Sequence, residues 1–185
     1  FHTDLRLSDL SGTNLSDSIL FRTNLSKIDL RTAKLDNVDF RFALLSESKF
    51  PDSPLVDNNF NFAHFKNINF AGKDLSGSSF DQAEFAGSDM QNTNLTGASF
   101  VQVDFTKIKN KSLAGADLSY TSFAHSNFTG VNLDGAILDS NNFWKADLSG
   151  LDFTVISEAS IEGVLFPEAN LSNSNFEGVN MAPKT

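Results

Sequence analysis

The chain has 185 residues, a formal charge of −9 at neutral pH, 19 phenylalanines against one tryptophan and one tyrosine, and no cysteine. That length suffices for one domain with a real core. The acidic balance argues against direct binding to nucleic acid or an anionic membrane, and the missing thiols exclude disulfides and thiolate chemistry. No apolar run reaches the length of a membrane span and no signal-peptide pattern is visible, so the chain reads as soluble with its compartment open.

From the N-terminus, every fifth residue from Leu5 to Phe105 is Leu, Phe or Met, 21 in succession. The series breaks at TKIKNKS (106–112) and resumes for nine more from Leu113 to Phe153. It breaks again at TVISEAS (154–160) and runs for five from Ile161 to Met181, leaving 182–185 as a tail or the start of a linker. On an α-helix, five residues turn by about 140° and scatter such anchors around the cylinder. In a strand, alternate anchors face solvent. A chain that turns by about a right angle after each five residues points every anchor inward, coil stacked on coil.

Sorting the anchors by every fourth one yields uniform columns. Leu15, Leu35, Leu55, Leu75 and Leu95 form one; Phe40, Phe60, Phe80 and Phe100 form the next, below Leu20. Each break adds three residues to the normal gap. Read as a corner insertion, it lets the Leu column continue through Leu118 and Leu138 and the Phe column through Phe123, Phe143 and Phe166. Counting Ile108 and Ile156 as anchors instead would place Leu118 among the phenylalanines. The expected fold is all-β: a four-sided parallel β-helix of about nine coils of roughly 20 residues. It forms a single domain over 1–181, with corner loops at 106–112 and 154–160.

Other repeat positions agree. Two residues before the anchor, 28 of 35 positions are Ala, Ser, Thr or Val, small enough to point inward. All eleven glycines stand two residues after an anchor, where a type II turn needs positive φ. Asp or Asn precedes 21 of the 35 anchors, placed to bond nearby backbone.

The pattern in AGADLSY (114–120), KADLSG (145–150) and EANLSN (168–173) resembles the pentapeptide repeat protein family, and the likeness spans essentially the whole chain. It implies a right-handed quadrilateral β-helix with a stacked Phe and Leu interior; the residues by themselves leave the hand open. Two functions are implied. Some members mimic a DNA duplex and bind DNA gyrase and topoisomerase IV, protecting them from quinolones. Others are modules in bacterial effector proteins.

Some residues break the rule. Lys73 falls on an inward position and predicts a distortion that frees its amine. Asn58 and Asn141 sit inward and need hydrogen-bond partners. Pro54 lacks a backbone donor, so PDSPL (51–55) is expected to bulge.

Nothing points to catalysis, a cofactor or a metal. His2, His64 and His125 lack ligand spacing, and the glycines are accounted for by corners rather than a phosphate loop.

The candidate partner-binding residues lie outside the repeat's anchors. Phe1, Phe21, Phe42 and Phe62 are off-anchor, and Phe42 and Phe62, twenty apart, should stack on an outer corner. They either pad a ridge or form a partner-binding stripe, as do Tyr120 and Trp144. Lys107, Lys109 and Lys111 in the first insertion form a contact site or a solvated loop. Asp4, Glu84, Asp104 and Asp147 fall on one face and Asp9, Asp29, Asp89 and Asp152 on the next, diluted by Arg6, Lys27, Arg31, Lys49 and Lys66.

The chain opens in mid-repeat at Phe1 without an initiator Met. This predicts a piece of a longer polypeptide, or an end coil that pairs with a partner, including an end-to-end homodimer. The reading is a non-catalytic scaffold for a protein partner; the alternative is a DNA-mimicking binder of gyrase and topoisomerase IV.

Overall fold

In the computed structural model, residues 3–159 and 161–181 are described. Phe1, His2, Ser160 and the expected tail at 182–185 lie outside the described residues.

The chain winds so that residues twenty apart pair in parallel, as in Asn59 with Ser79, Ser79 with Ser99 and Asp74 with Asn94. Across each insertion the pairing distance grows by three residues: Asn94 with Asp117, and Asn142 with Leu165. The Leu95 amide donates to the Asp117 carbonyl at 2.8 Å, and the Leu118 amide to Ile137 at 3.0 Å, so Leu118 and Leu138 follow Leu95 in one column.

No extended strand forms among the described residues; most sides contribute an isolated bridge at the residue before the anchor. A turn after every five residues leaves one position per side free to pair in both directions. Among the described residues, the only helical turns, Phe105–Lys107, Lys109–Lys111 and Ser157–Ala159, lie at the insertions.

Side-chain stacking follows the coil repeat. Phe40–Phe60, Phe60–Phe80 and Phe80–Phe100 stack at 4.8, 5.0 and 4.7 Å with rings within 11° of parallel. The adjoining column meets these rings edge-on, as in Phe60 against Phe65 at 5.3 Å and 65°. The stack opens to 5.8 Å at Phe100–Phe123 and 5.7 Å at Phe143–Phe166, the two steps that span insertions. From Leu25 to Ile161 the anchors are buried; Leu15, Leu20 and Phe166, in the outer coils, are only partly so.

The position before the anchor has a defined task. Its Asp or Asn carboxyl or amide oxygen accepts the amide two residues on, as Asp74 does from Ser76 at 3.0 Å and Asn94 from Thr96 at 3.0 Å, closing an Asx turn. The turn residue two after the anchor is left-handed whether it is Gly77 (φ 67°) or Phe62 (φ 62°). Inward hydroxyls satisfy carbonyls that the corners leave free: Ser78 Oγ donates to Leu55 O at 2.8 Å, and Ser126 Oγ to Phe100 O at 2.5 Å.

Both insertions are built alike, from DFTKI (104–108) and DFTVI (152–156). In each, the aspartate accepts from the threonine amide, and Ile108 or Ile156 is buried although it is not an anchor. Asn110 and Glu158 then take left-handed φ of 54° and 57°.

The two irregularities read separately in the sequence are one feature. Lys73 lies one coil above Ser53, and its amine donates to the Pro51 carbonyl at 2.7 Å and pairs with Asp52 at 2.9 Å. PDSPL leaves the regular path, Pro54 forms no bridge among the described residues, and the lysine crosses into that gap. The inward asparagines are only half satisfied. Asn58 Oδ1 accepts from the Val38 amide at 2.7 Å while its Nδ2 has no partner. Asn141 Nδ2 donates to Leu118 O while its Oδ1 has none.

Two substitutions test this packing. Phe80→Ala, at the middle of the stack, should lower unfolding free energy by about 3–5 kcal/mol in chemical denaturation. Lys73→Ala strands the buried Pro51 carbonyl and should cost about 1–3 kcal/mol, with Asp52→Asn near neutral.

Candidate interaction surface

The interior is filled by its own side chains, so chemistry directed outward comes from the corners, insertions and faces. The corner after the Phe column differs from the other three. Its turn residues run from Arg22 through Phe42, Phe62, Gln82 and Gln102 to His125, Lys145 and Glu168. All have φ between 55° and 62°, and none is glycine. The eleven glycines fall on the other three corners. A left-handed conformation costs a non-glycine residue about 1–2 kcal/mol. Side chains on this corner are therefore kept at the expense of backbone ease.

The structure brings Phe42 and Phe62 together in a parallel stack at 4.5 Å and 1°. Phe21 joins them edge-on to Phe42 at 5.5 Å. The Arg22 guanidinium lies 5.2 Å from the Phe21 ring centre and 5.3 Å from that of Phe42. Trp144 sits farther along the same corner, edge-on to His125 at 4.9 Å, with the Lys145 amine 4.8 Å above its ring and its indole nitrogen donating to Glu168 at 3.3 Å. Tyr120 stands apart on the corner after the Leu column, 67% exposed.

The lysine loop is tied down. Lys109 pairs with Asp89 at 2.7 Å and Lys107 lies 3.7 Å from Asp104; Lys111 is exposed. Backbone bonds from Gly87 to Lys107 O and from Lys109 to Ser88 O hold the loop in the coil stack. The second insertion is anchored similarly, through Gly135 to Val155 O and Ser157 to Ala136 O, both at 2.7 Å.

Many carboxylates on the acidic faces are already engaged. Arg6, Arg31 and Arg41 each clamp the aspartate two residues before, at 2.6, 2.7 and 2.7 Å. Asp4 and Asp29 are held down to about 2 by the hydrogen bonds from Arg6 and Arg31. Glu84 meets His64 at 2.9 Å. Lys109 takes Asp89 and Lys107 takes Asp104.

Arg22, Ile19 and Leu44 escaped the sequence reading, and His125 was weighed there only as a metal ligand. For Arg22 and His125 the signal was present: sorting the turn residues by column isolates the corner without glycine. Among the described residues, no group of three or more His, Cys, Asp or Glu converges as metal ligands would, and no helix is long and apolar enough to cross a membrane.

The repeat, the twenty-residue pairing and the stacked anchors define a parallel solenoid built from five-residue units. A family model described as "Pentapeptide repeats" matches residues 2–37, 14–52, 59–97, 74–108 and 112–154, in eight copies. The chain belongs to the pentapeptide repeat family, whose members fold as right-handed quadrilateral β-helices.

Among curated proteins, none matches the sequence. Solved structures similar to it include HetL, a pentapeptide repeat protein involved in heterocyst differentiation regulation from the cyanobacterium Nostoc sp. strain PCC 7120. The identity is 18%, the match covers 95% of this chain and 86% of that one, and the TM-score is 0.35. Full-length QnrB1, a plasmid-mediated fluoroquinolone resistance protein, is similar at 16% identity, covering 94% of this chain and 93% of that one, with a TM-score of 0.39. A pentapeptide repeat protein (Rfr23) from the cyanobacterium Cyanothece 51142 is 18% identical over 92% of this chain and 89% of that one, with a TM-score of 0.20.

The aspartate clamps set a pH dependence. Asp4 and Asp29 are depressed from 3.8 to about 2, so their contribution is complete above about pH 4 and is lost as pH falls toward 2. The thermal midpoint should therefore hold from pH 7 to about 4 and fall below it. In Arg31→Gln, the Asp29 carboxyl resonance should titrate nearer the ordinary range, with no effect on distant aspartates.

Proposed function

We propose that this chain is a non-catalytic rigid scaffold, one solenoid domain over 1–181 of about nine coils of ~20 residues. Its corners and two insertions present side chains to a protein partner. The observation that carries this reading is the corner from Arg22 to Glu168. There, eight successive turn residues all carry side chains in a left-handed backbone, whereas each of the other three corners places glycine at some of its turns. An interior closed by its own stacked rings gives no place for a substrate, which supports a role confined to the surface.

The alternative, mimicry of a DNA duplex toward gyrase and topoisomerase IV, needs rows of unpaired carboxylates. Asp4, Asp104, Asp29 and Asp89, four of the eight that define the acidic faces, have arginine or lysine partners at 4.0 Å or less, and Glu84 contacts the His64 ring. That pairing favours the scaffold.

Photo-crosslinking residues placed at Phe62, Tyr120 and Trp144, in the cells that make the protein, test the scaffold. A discrete adduct from Phe62 or Trp144 is expected, and no adduct from any of the three positions would retire it. A supercoiling assay with gyrase should show neither inhibition nor quinolone protection at tens of micromolar; either effect would reinstate the mimic.

A further inference from the structure

We propose that the patch wrapped around the corner at Phe42 docks an acidic segment of a protein partner, with a carboxylate set on Arg22 and apolar side chains on either side of it. This rests on the scaffold reading above and specifies the chemistry of its partner.

Three observations carry it. The first is a concentration of exposed apolar surface. Ile19 on one flank of the corner is 78% exposed and Leu44 on the other 40%, with Phe21 and Phe42 at 37% each between them. Exposed apolar side chains gathered at one corner mark contact sites more often than scattered ones do. The second is the backbone. Phe42 and Phe62 keep φ of 59° and 62°, where glycine or asparagine would sit without strain.

The third is Arg22. The other three arginines each stand two residues after an aspartate and clamp it. Arg22 stands two residues after Leu20, and among the described residues no carboxylate lies within ion-pair distance of it. Its guanidinium rests against two phenyl rings instead. A guanidinium held on aromatic faces keeps its in-plane N–H fork directed outward, the geometry that takes a carboxylate in two parallel hydrogen bonds.

Charge complementarity selects the occupant. The patch is locally cationic in a protein of net charge −9, so a neutral segment brings no charge to the fork and a basic one is drawn instead to the rest of the surface. A carboxylate flanked by apolar side chains satisfies the fork and covers the rings in one contact.

The probe is a fluorescein-labelled peptide, Leu-Ser-Glu-Ser-Leu-Ser-Glu-Ser-Leu, whose leucines and glutamates share one face when extended. In fluorescence anisotropy it should bind the wild-type chain. Arg22→Gln should weaken binding by roughly tenfold, as should Gln in place of each Glu in the peptide. Phe42→Asn combined with Phe62→Asn should remove binding without lowering the thermal midpoint, because asparagine tolerates the left-handed turn.

The proposal is overturned if the acidic peptide does not bind, if the Gln peptide binds equally, or if Arg22→Gln changes nothing. It is also overturned if sedimentation shows a dimer that Phe42→Asn dissolves, which would make a second copy of this chain the occupant. Crosslinks that persist at Phe62 while the peptide fails would refute the acidic partner and leave the scaffold; loss of both would retire both readings.

Discussion

Everything in this protein depends on the parallel hydrogen-bond repeat between coils. Backbone pairing sets neighbouring coils about 4.8 Å apart, and aromatic rings pack well at the same separation. Identical residues twenty apart can therefore stack face to face without adjusting the backbone, as Phe60, Phe80 and Phe100 do at 5.0 and 4.7 Å. Where an insertion widens a coil, the stack stretches to 5.8 or 5.7 Å but is not broken. Hydrogen bonding and ring packing thus reinforce one spacing, and the chain accommodates extra residues only at its corners.

The same repeat governs irregularities and surface. An inward lysine is tolerated because, one coil away, PDSPL turns a carbonyl toward its amine. On the outside, stacking places corner residues directly above one another, so a single off-repeat aromatic becomes a ladder when its neighbours are aromatic too. Phe42 and Phe62 use the spacing of the core to build a ridge facing solvent. Arg22 caps that ridge with a charge that nothing else in the described chain neutralises. The acidic residues behave in the opposite way. Spread over two faces, many of them meet arginines and lysines two, three or twenty residues away and lose much of their outward field.

The order of side chains along the chain was enough to determine the five-residue unit, the four sides, the Leu and Phe columns and the corner nature of both insertions. Each follows from a local rule: a bulky apolar residue must leave water, and only one path buries one in every five. The aspartate or asparagine before the anchor was legible for the same reason, since its bond reaches only two residues along.

What only the tertiary structure decided depends on which coil lies next to which side chain. The partnership of Lys73 with Pro51, the buried roles of Ile108 and Ile156, and the clamping of Asp89 by Lys109 each join residues about twenty apart or bend a segment off the repeat. That the described residues pair through isolated bridges rather than continuous strands likewise emerged from three dimensions, because turns that close every fifth residue leave too little backbone between them to pair as a ladder. The distinctive corner is intermediate: its lack of glycine is written in the sequence, while the placement of Arg22 over two phenyl rings is a matter of geometry.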